Sequence, residues 1–335
     1  MAWLAVEQAT TYKKDRILFC PFFRFGGYQM RVHLALILAG ALALSVGCKD
    51  NAPVAQPADS PAPKVNKTFK YLYDPPKNPE LQKYYEWLKD EDAGKKMEPV
   101  LKLVNWPNGL KLETKECGVS NAYYWPSKAT IVVCYELFKD FHDKAQTEMT
   151  KRTPEYRRNV AIGGVKFLIL HELGHAVYDA FDVPIIGNAE DAADAFAIYM
   201  LLKSKDPQVH WILQGAKFFF MKNHADFTST SDLEFGSFAD AHPLHQQRYF
   251  NMLCDAYGSD TKRYGFLVEK GLLPKGRAES CPQDWRRLDR AMDKLVVPHL
   301  DTAEVKRLQN KDYPAFDPSA YDASSIKKMQ QGNAG

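Results

Sequence analysis

Long apolar runs are scarce in this 335-residue chain. The one that stands out, residues 34–46, falls short of the roughly 20 residues a membrane-spanning helix needs, which excludes a polytopic membrane protein. Excess charge is equally scarce. Lys and Arg number 44 against 41 Asp and Glu, and removing the five basic and two acidic residues of positions 1–47 leaves 39 of each. The broad basic surface of a nucleic-acid binder is therefore unsupported. No two cysteines form a C-x-x-C pair, which argues against a Cys-rich structural zinc site, and no internal repeat is visible. What remains, at 45% hydrophobic and 25% charged residues, is a globular composition with enough length for one large domain or two small ones.

The apolar run follows Arg31 and ends at Gly47-Cys48. A positive flank, a short apolar core and small terminal residues describe an export signal. Met30 stands directly before Arg31, so we expect translation to begin there, with residues 1–29 an upstream mis-annotation and 30–48 the signal peptide. Ser45-Val46-Gly47-Cys48 resembles a bacterial lipobox, although Leu is usual where Ser45 stands. The resemblance implies lipidation at Cys48 and a place in the periplasm or cell envelope, with the membrane reached only through that lipid. Residues 49–66, rich in Ala and Pro, read as an extended linker. Export also changes how cysteines are read. Apart from Cys20 and Cys48, four remain, Cys117, Cys134, Cys254 and Cys281, and an even number in an oxidising compartment suggests two disulfides. Sequence neighbourhood favours Cys117 with Cys134 and Cys254 with Cys281 over the other two connectivities.

Residues 69–73 read as a strand, and 79–102 carry helical apolar spacing through Leu81, Tyr85, Leu88 and Val100, interrupted near Gly94. The period then changes. Segments 110–113, 121–125 and 130–135 read as strands, the last two joined at Pro126-Ser127-Lys128, which predicts a small antiparallel sheet. Downstream the pattern is helical. Thr153 is placed to cap, and Pro154 to open, a helix ending near Phe181; Asn188 is placed to cap a second reaching Lys203. Further helices are expected at 207–222, 243–257 (closed by Gly258), 261–270 and 282–297. Residues 301–335 read as a polar tail, frayed from about 311. The expected fold class is α+β, with a mostly helical body, in a domain spanning 67–300.

The chemistry concentrates in His171-Glu172-Leu173-Gly174-His175. Four residues apart on a helix, His171 and His175 project from one face and can converge on one ion at about 2.0 to 2.1 Å. Glu172 is rotated round the helix, able to reach a water at the metal without itself being a ligand; two neutral ligands and a base are the sense of H-E-x-x-H. Gly174 costs a helix about 1 kcal/mol relative to Ala, which suggests a packing or functional reason. A catalytic zinc needs a third protein ligand. The metzincin position for it holds Phe181, and Tyr178 replaces the Gly of that pattern, so that subtype is excluded. On the next helix Glu190 and Asp194 lie at i and i+4, where Glu190 can bind metal while Asp194 reaches the outer nitrogen of a ligand His; Asp191 is the reserve ligand.

His171-Glu172-x-x-His175 followed by Glu190-x-x-x-Asp194 resembles the gluzincin group of zinc peptidases. Asn121-Ala122-Tyr123-Tyr124-Trp125 is similar to the edge strand that holds the substrate backbone in thermolysin-like and Htp-type peptidases, which implies substrate binding by Asn121 and Ala122. Asp240-Ala241-His242-Pro243 with Arg248 resembles the downstream element of the Htp-type enzymes, which implies that His242 and Arg248 stabilise the oxyanion, with His245 given little weight. Residues 67–300, including Cys134-Tyr135-Glu136-Leu137 and Cys281-Pro282, resemble a bacterial metallopeptidase family catalogued as a domain of unknown function. The resemblance implies a zincin-like fold, bound zinc, a peptide or protein substrate, and a metal-activated water with Glu172 as general base. The alternatives are a non-catalytic exported zinc-binding lipoprotein of the cell envelope, or a zinc hydrolase of a non-protein amide.

Overall fold

The computed structural model describes residues 65–204, 209–220 and 242–310, all within one unit covering 61–335. The expected signal peptide, Cys48, the linker up to residue 64, Asp240, Ala241 and the tail from 311 lie outside these residues.

Strand β1 (Phe69–Tyr73) leads to helix α1 (Pro79–Asp90). The Asn78 side chain accepts the Glu80 N–H at 3.0 Å, and Pro79, which has no N–H to satisfy, opens the first turn. α1 buries Leu81, Tyr84 and Leu88. A 3₁₀ turn and α2 (Glu98–Leu101) return the chain to β2 (Leu110–Lys115), and β3 (Ala122–Trp125) and β4 (Thr130–Cys134) follow. The sheet has the order β1-β2-β4-β3 and is mixed, not antiparallel as expected. β1 pairs parallel with β2, and β2 parallel with β4; only β3 and β4 run antiparallel. The helical connection between β1 and β2 is long enough for a parallel crossover, whereas the turn at Pro126–Lys128 permits only a hairpin. Strand-by-strand alternation marks faces, not directions, so the sequence left this open. β4 is buried at every position, as the apolar run Ile131-Val132-Val133 in a central strand requires.

α3 (Tyr135–Glu148) starts where β4 ends and buries Leu137, Phe141 and Ala145, one residue per turn. It packs on α4 (Pro154–Ala180), the centre of the structure. Thr153 Oγ1 accepts the Tyr156 N–H at 3.2 Å, as its capping position predicts. α4 is apolar enough to cross a membrane by composition, but its apolar stretch is 83% buried in the protein and serves as a core helix.

α5 (Ala189–Ser204) and α6 (Val209–Phe220) both pack against α4. α7 (His245–Ser259) begins two residues later than expected and continues through Gly258. Residues 261–270 hold one short helix, α8 (Phe266–Glu269), rather than a continuous one; α9 (Lys275–Ala278) and α10 (Cys281–Leu295) follow. Residues 302–309 fall within the stretch expected as a polar tail. They form α11 (Thr302–Gln309), where Gln309 donates to the Lys203 carbonyl at 3.2 Å, while Lys67 pairs with Asp301 at 2.5 Å. Disulfides join Cys117 to Cys134 and Cys254 to Cys281, the pairing that sequence neighbourhood favoured.

Candidate metal centre

α4 presents His171 and His175 one turn apart, with their Nε2 atoms separated by 3.2 Å. Asn188 Oδ1 caps α5 by accepting the Glu190 N–H at 2.7 Å, which sets Glu190 in the first turn, facing the histidines. Glu190 Oε2 lies 3.0 Å from His171 Nε2, and Oε1 lies 3.5 Å from His175 Nε2. Ligand atoms of all three residues fall within 4.8 Å of one another. Tetrahedral ligands at 2.0 to 2.1 Å from an ion stand about 3.3 Å apart, so the spacing fits one ion, and two imidazoles with one carboxylate are a donor set that catalytic zinc accepts.

Behind the histidines the polar groups are fully engaged. His171 Nδ1 lies 2.8 Å from Asp194 Oδ1. Buried Arg248 clamps Asp194 with two hydrogen bonds, Nε to Oδ2 at 2.6 Å and Nη2 to Oδ1 at 2.9 Å. With Nδ1–H donated to Asp194, Nε2 is the nitrogen left for a metal ion, and in the protonated ring it carries the hydrogen that Glu190 accepts. Burial disfavours the His171 imidazolium, but the hydrogen bonds it donates to Asp194 and Glu190 outweigh it and raise the pKa to about 9. Burial likewise opposes ionisation of Asp194 and Glu190, yet Arg248 and His171 hold Asp194 low, and the two imidazoles hold Glu190 well below the usual carboxylate range.

Glu172 is buried beside this trio. Burial pushes its carboxyl above the usual carboxylate range; the adjacent imidazoles and a hydrogen bond from the Tyr124 main-chain N–H pull the other way. That N–H is free to do so because of sheet register. Cys134 N–H donates to the Asn121 carbonyl at 3.0 Å, and Ala122 lies opposite Val133. In an antiparallel pair the next residues alternate, so the main-chain groups of Ala122 and Tyr124 point to the open edge of β3. The Tyr124 phenol donates to Asp179 on α4 at 2.9 Å, tying that edge to the helix, and Tyr178 donates to the Ala192 carbonyl at 2.8 Å, tying α4 to α5.

One cleft of about 610 Å³ receives His171, Glu172, His175, Glu190, Asn121 and Ala122, and His242 and Arg248 line it as well. His242 is half exposed, its Nε2 3.3 Å from Glu190 Oε2. Arg248, expected at the oxyanion, lines the cleft and also holds a carboxylate. Its guanidinium is turned onto Asp194, and Nη2 stops 3.9 Å from Glu190. Asp191, the reserve ligand, and His245 are not in the lining; the His245 ring instead lies 6.3 Å from that of Phe220. The sequence reading missed Tyr124 and Asp179, and also the apolar residues Val183 and Ile185 of the α4–α5 connection. Tyr124 alone carried a signal, standing two residues after Ala122 on the same strand.

The fold and this cleft define an α+β protein, mostly helical, built around a candidate site for one metal ion. The chain belongs to the family described as "DUF4344: Putative metallopeptidase", whose model matches residues 73–296. Such a family implies a metal ion and a peptide or protein substrate. Neither a curated protein nor a solved structure matches the chain.

Proposed function

We propose that this protein is a zinc-dependent, gluzincin-like metallopeptidase with a zincin-like active-site helix, exported and held in the cell envelope through Cys48. The convergence of His171, His175 and Glu190 beside a buried, non-ligating Glu172 carries this reading. The two disulfides support an oxidising compartment.

His171, His175 and Glu190 would hold the ion. When bound, zinc supplies Lewis acidity that polarises a carbonyl and lowers the pKa of water toward about 7. The chain's own residues do the rest. An extended substrate lies along Ala122, whose edge-facing N–H and C=O are suited to pair with it, next to Asn121. Glu172 takes a proton from the attacking water and returns it to the leaving amine; burial strengthens its hold on that proton between the two steps. The Tyr124 N–H fixes the carboxylate's position. Asp194 fixes the orientation of His171, and Arg248 neutralises Asp194. Half-exposed His242, which lines the cleft 3.3 Å from Glu190, supplies the donor to the developing oxyanion.

Glu172→Gln tests the base. The variant keeps its zinc, and its kcat on an unfolded protein substrate falls about 10²-fold or more; cleavage at the wild-type rate would remove Glu172 from this role.

A further inference from the structure

Asp179 lines the cleft with a carboxylate that the proposed chemistry does not use. It stands four residues after His175, so both side chains leave α4 on one face, and at about 1.5 Å per residue Asp179 lies about 6 Å further along the helix axis. The Tyr124 phenol donates to Asp179 Oδ2 at 2.9 Å. Burial, helped by that bond, pushes the phenol above its ordinary pKa, which keeps it a donor. One phenol fills one of the roughly four acceptor positions of a carboxylate. Oδ1 accepts no hydrogen bond among the described residues, and the residue is exposed.

The end of the helix points the same way. α4 closes at Ala180, where the macrodipole leaves partial negative charge and favours a cation. The last turn nevertheless holds Asp179 and no basic residue. No protein cation of the cleft cancels this charge. Arg248, the only lysine or arginine among the described lining residues, is clamped to Asp194, and Asp179 makes no ion pair among the described residues. Glu172 and Glu190 stand at the two imidazoles, which leaves Asp179 as the carboxylate open to a guest.

We infer that Asp179 selects a lysine or arginine side chain about two residues from the scissile bond of a peptide laid along β3, a specificity that rests on the peptidase reading above. An extended peptide advances about 3.3 Å per residue, so two residues span the distance from the level of His175 to that of Asp179. An ammonium or guanidinium there gains a charge-assisted hydrogen bond to the carboxylate. An acidic side chain meets like charge, and an apolar one covers the carboxylate without replacing its water. Tyr124 is a positioning residue: it holds the carboxylate at the cleft wall, so less freedom is lost when the cation binds.

The experiment measures kcat/KM for zinc-loaded wild type, Asp179→Asn, Asp179→Lys and Asp182→Asn. The peptides are identical except for Lys, Leu or Glu at each of the two positions on either side of the cut, which is located by mass spectrometry. Asp182 is exposed and outside the lining, and Asn tolerates its left-handed backbone at φ 49°. Wild type is expected to prefer Lys over Leu by about 5- to 20-fold at one of these positions, with Glu poorest, and the preference should shrink as salt is raised. Asp179→Asn, which keeps an acceptor for Tyr124 and so guards against misfolding, should bring the Lys and Leu peptides together while retaining its zinc. Asp179→Lys should favour Glu, and Asp182→Asn should keep the wild-type order. Cleavage with no preference for Lys at any of the positions, or a preference that survives in Asp179→Asn, overturns the assignment of Asp179. No cleavage of any peptide by zinc-loaded wild type overturns the peptidase reading itself, and this inference with it.

Discussion

A guanidinium at 2% exposure must find its partner inside the protein, because a buried charge left alone costs far more than a matched pair contributes. Arg248 finds Asp194, and Asp194 in turn holds His171, so a cation on α7 sets the orientation of a histidine on α4. Arg248→Met is accordingly expected to destabilise the fold by about 3 to 5 kcal/mol, measured by urea unfolding. It should also weaken zinc binding about 10- to 100-fold, measured by competition with a chromophoric chelator. A residue acting only on the oxyanion would instead lower kcat and leave zinc affinity unchanged. The i, i+4 spacing of Glu190 and Asp194 made both carboxylates legible in the sequence. The partner of Asp194 was not, since Arg248 lies 54 residues further along and no local pattern links the two. Tyr124 escaped for another reason: what it brings to the site is a main-chain N–H, and its direction depends on strand register alone.

At the scale of elements, the site depends on how closely α5 approaches α4. A Cβ added at Gly174 would meet Ala193 Cα at 3.1 Å and Phe196 Cβ at 3.2 Å. This supplies the packing reason that a glycine inside α4 suggested. Nearer the start of α4, a Cβ at Gly215 of α6 would stand 2.0 Å from the Gly164 nitrogen, a distance that no side-chain adjustment relieves. Alanine is the better helix former by about 1 kcal/mol, yet both substitutions should be harmful, and in different ways. Gly215→Ala is expected to destabilise by at least about 1 to 3 kcal/mol. Gly174→Ala should displace α5, and Glu190 with it, by a few tenths of an ångström, and so lower zinc affinity more than stability. Thermal melts with and without zinc separate the two; equal zinc affinity in Gly174→Ala and wild type would count against this view of the helix contact. Caps and periodicity made α4 and α5 readable almost to the residue. The directions of β1, β2 and β4 were not readable, because an alternating pattern looks the same in either direction.

For the molecule as a whole, the two ends of the described chain close on each other. An isolated bridge pairs Val104 with Leu300, the Asp301 N–H donates to the Leu103 carbonyl at 2.7 Å, and Lys67 reaches Asp301. β1 before Tyr73 and α11 lie outside the matched stretch 73–296 yet complete this closure, which the polar sequence after residue 300 did not announce. One disulfide anchors the segment before β3 to the end of β4, and the other ties α7, bearer of Arg248, to α10. The first braces the β3 side of the cleft, and the second the helix that carries Arg248. The account rests on one ion shared by residues from two helices. Stripping the protein with a chelator and titrating zinc back, with hydrolysis of an unfolded protein followed at each addition, measures that directly. Activity is predicted to vanish on stripping and to return in proportion to zinc up to one equivalent per chain, while Glu190→Ala takes up no zinc at these concentrations and stays inactive. Activity indifferent to chelation, or full recovery by the Glu190→Ala variant, would contradict it.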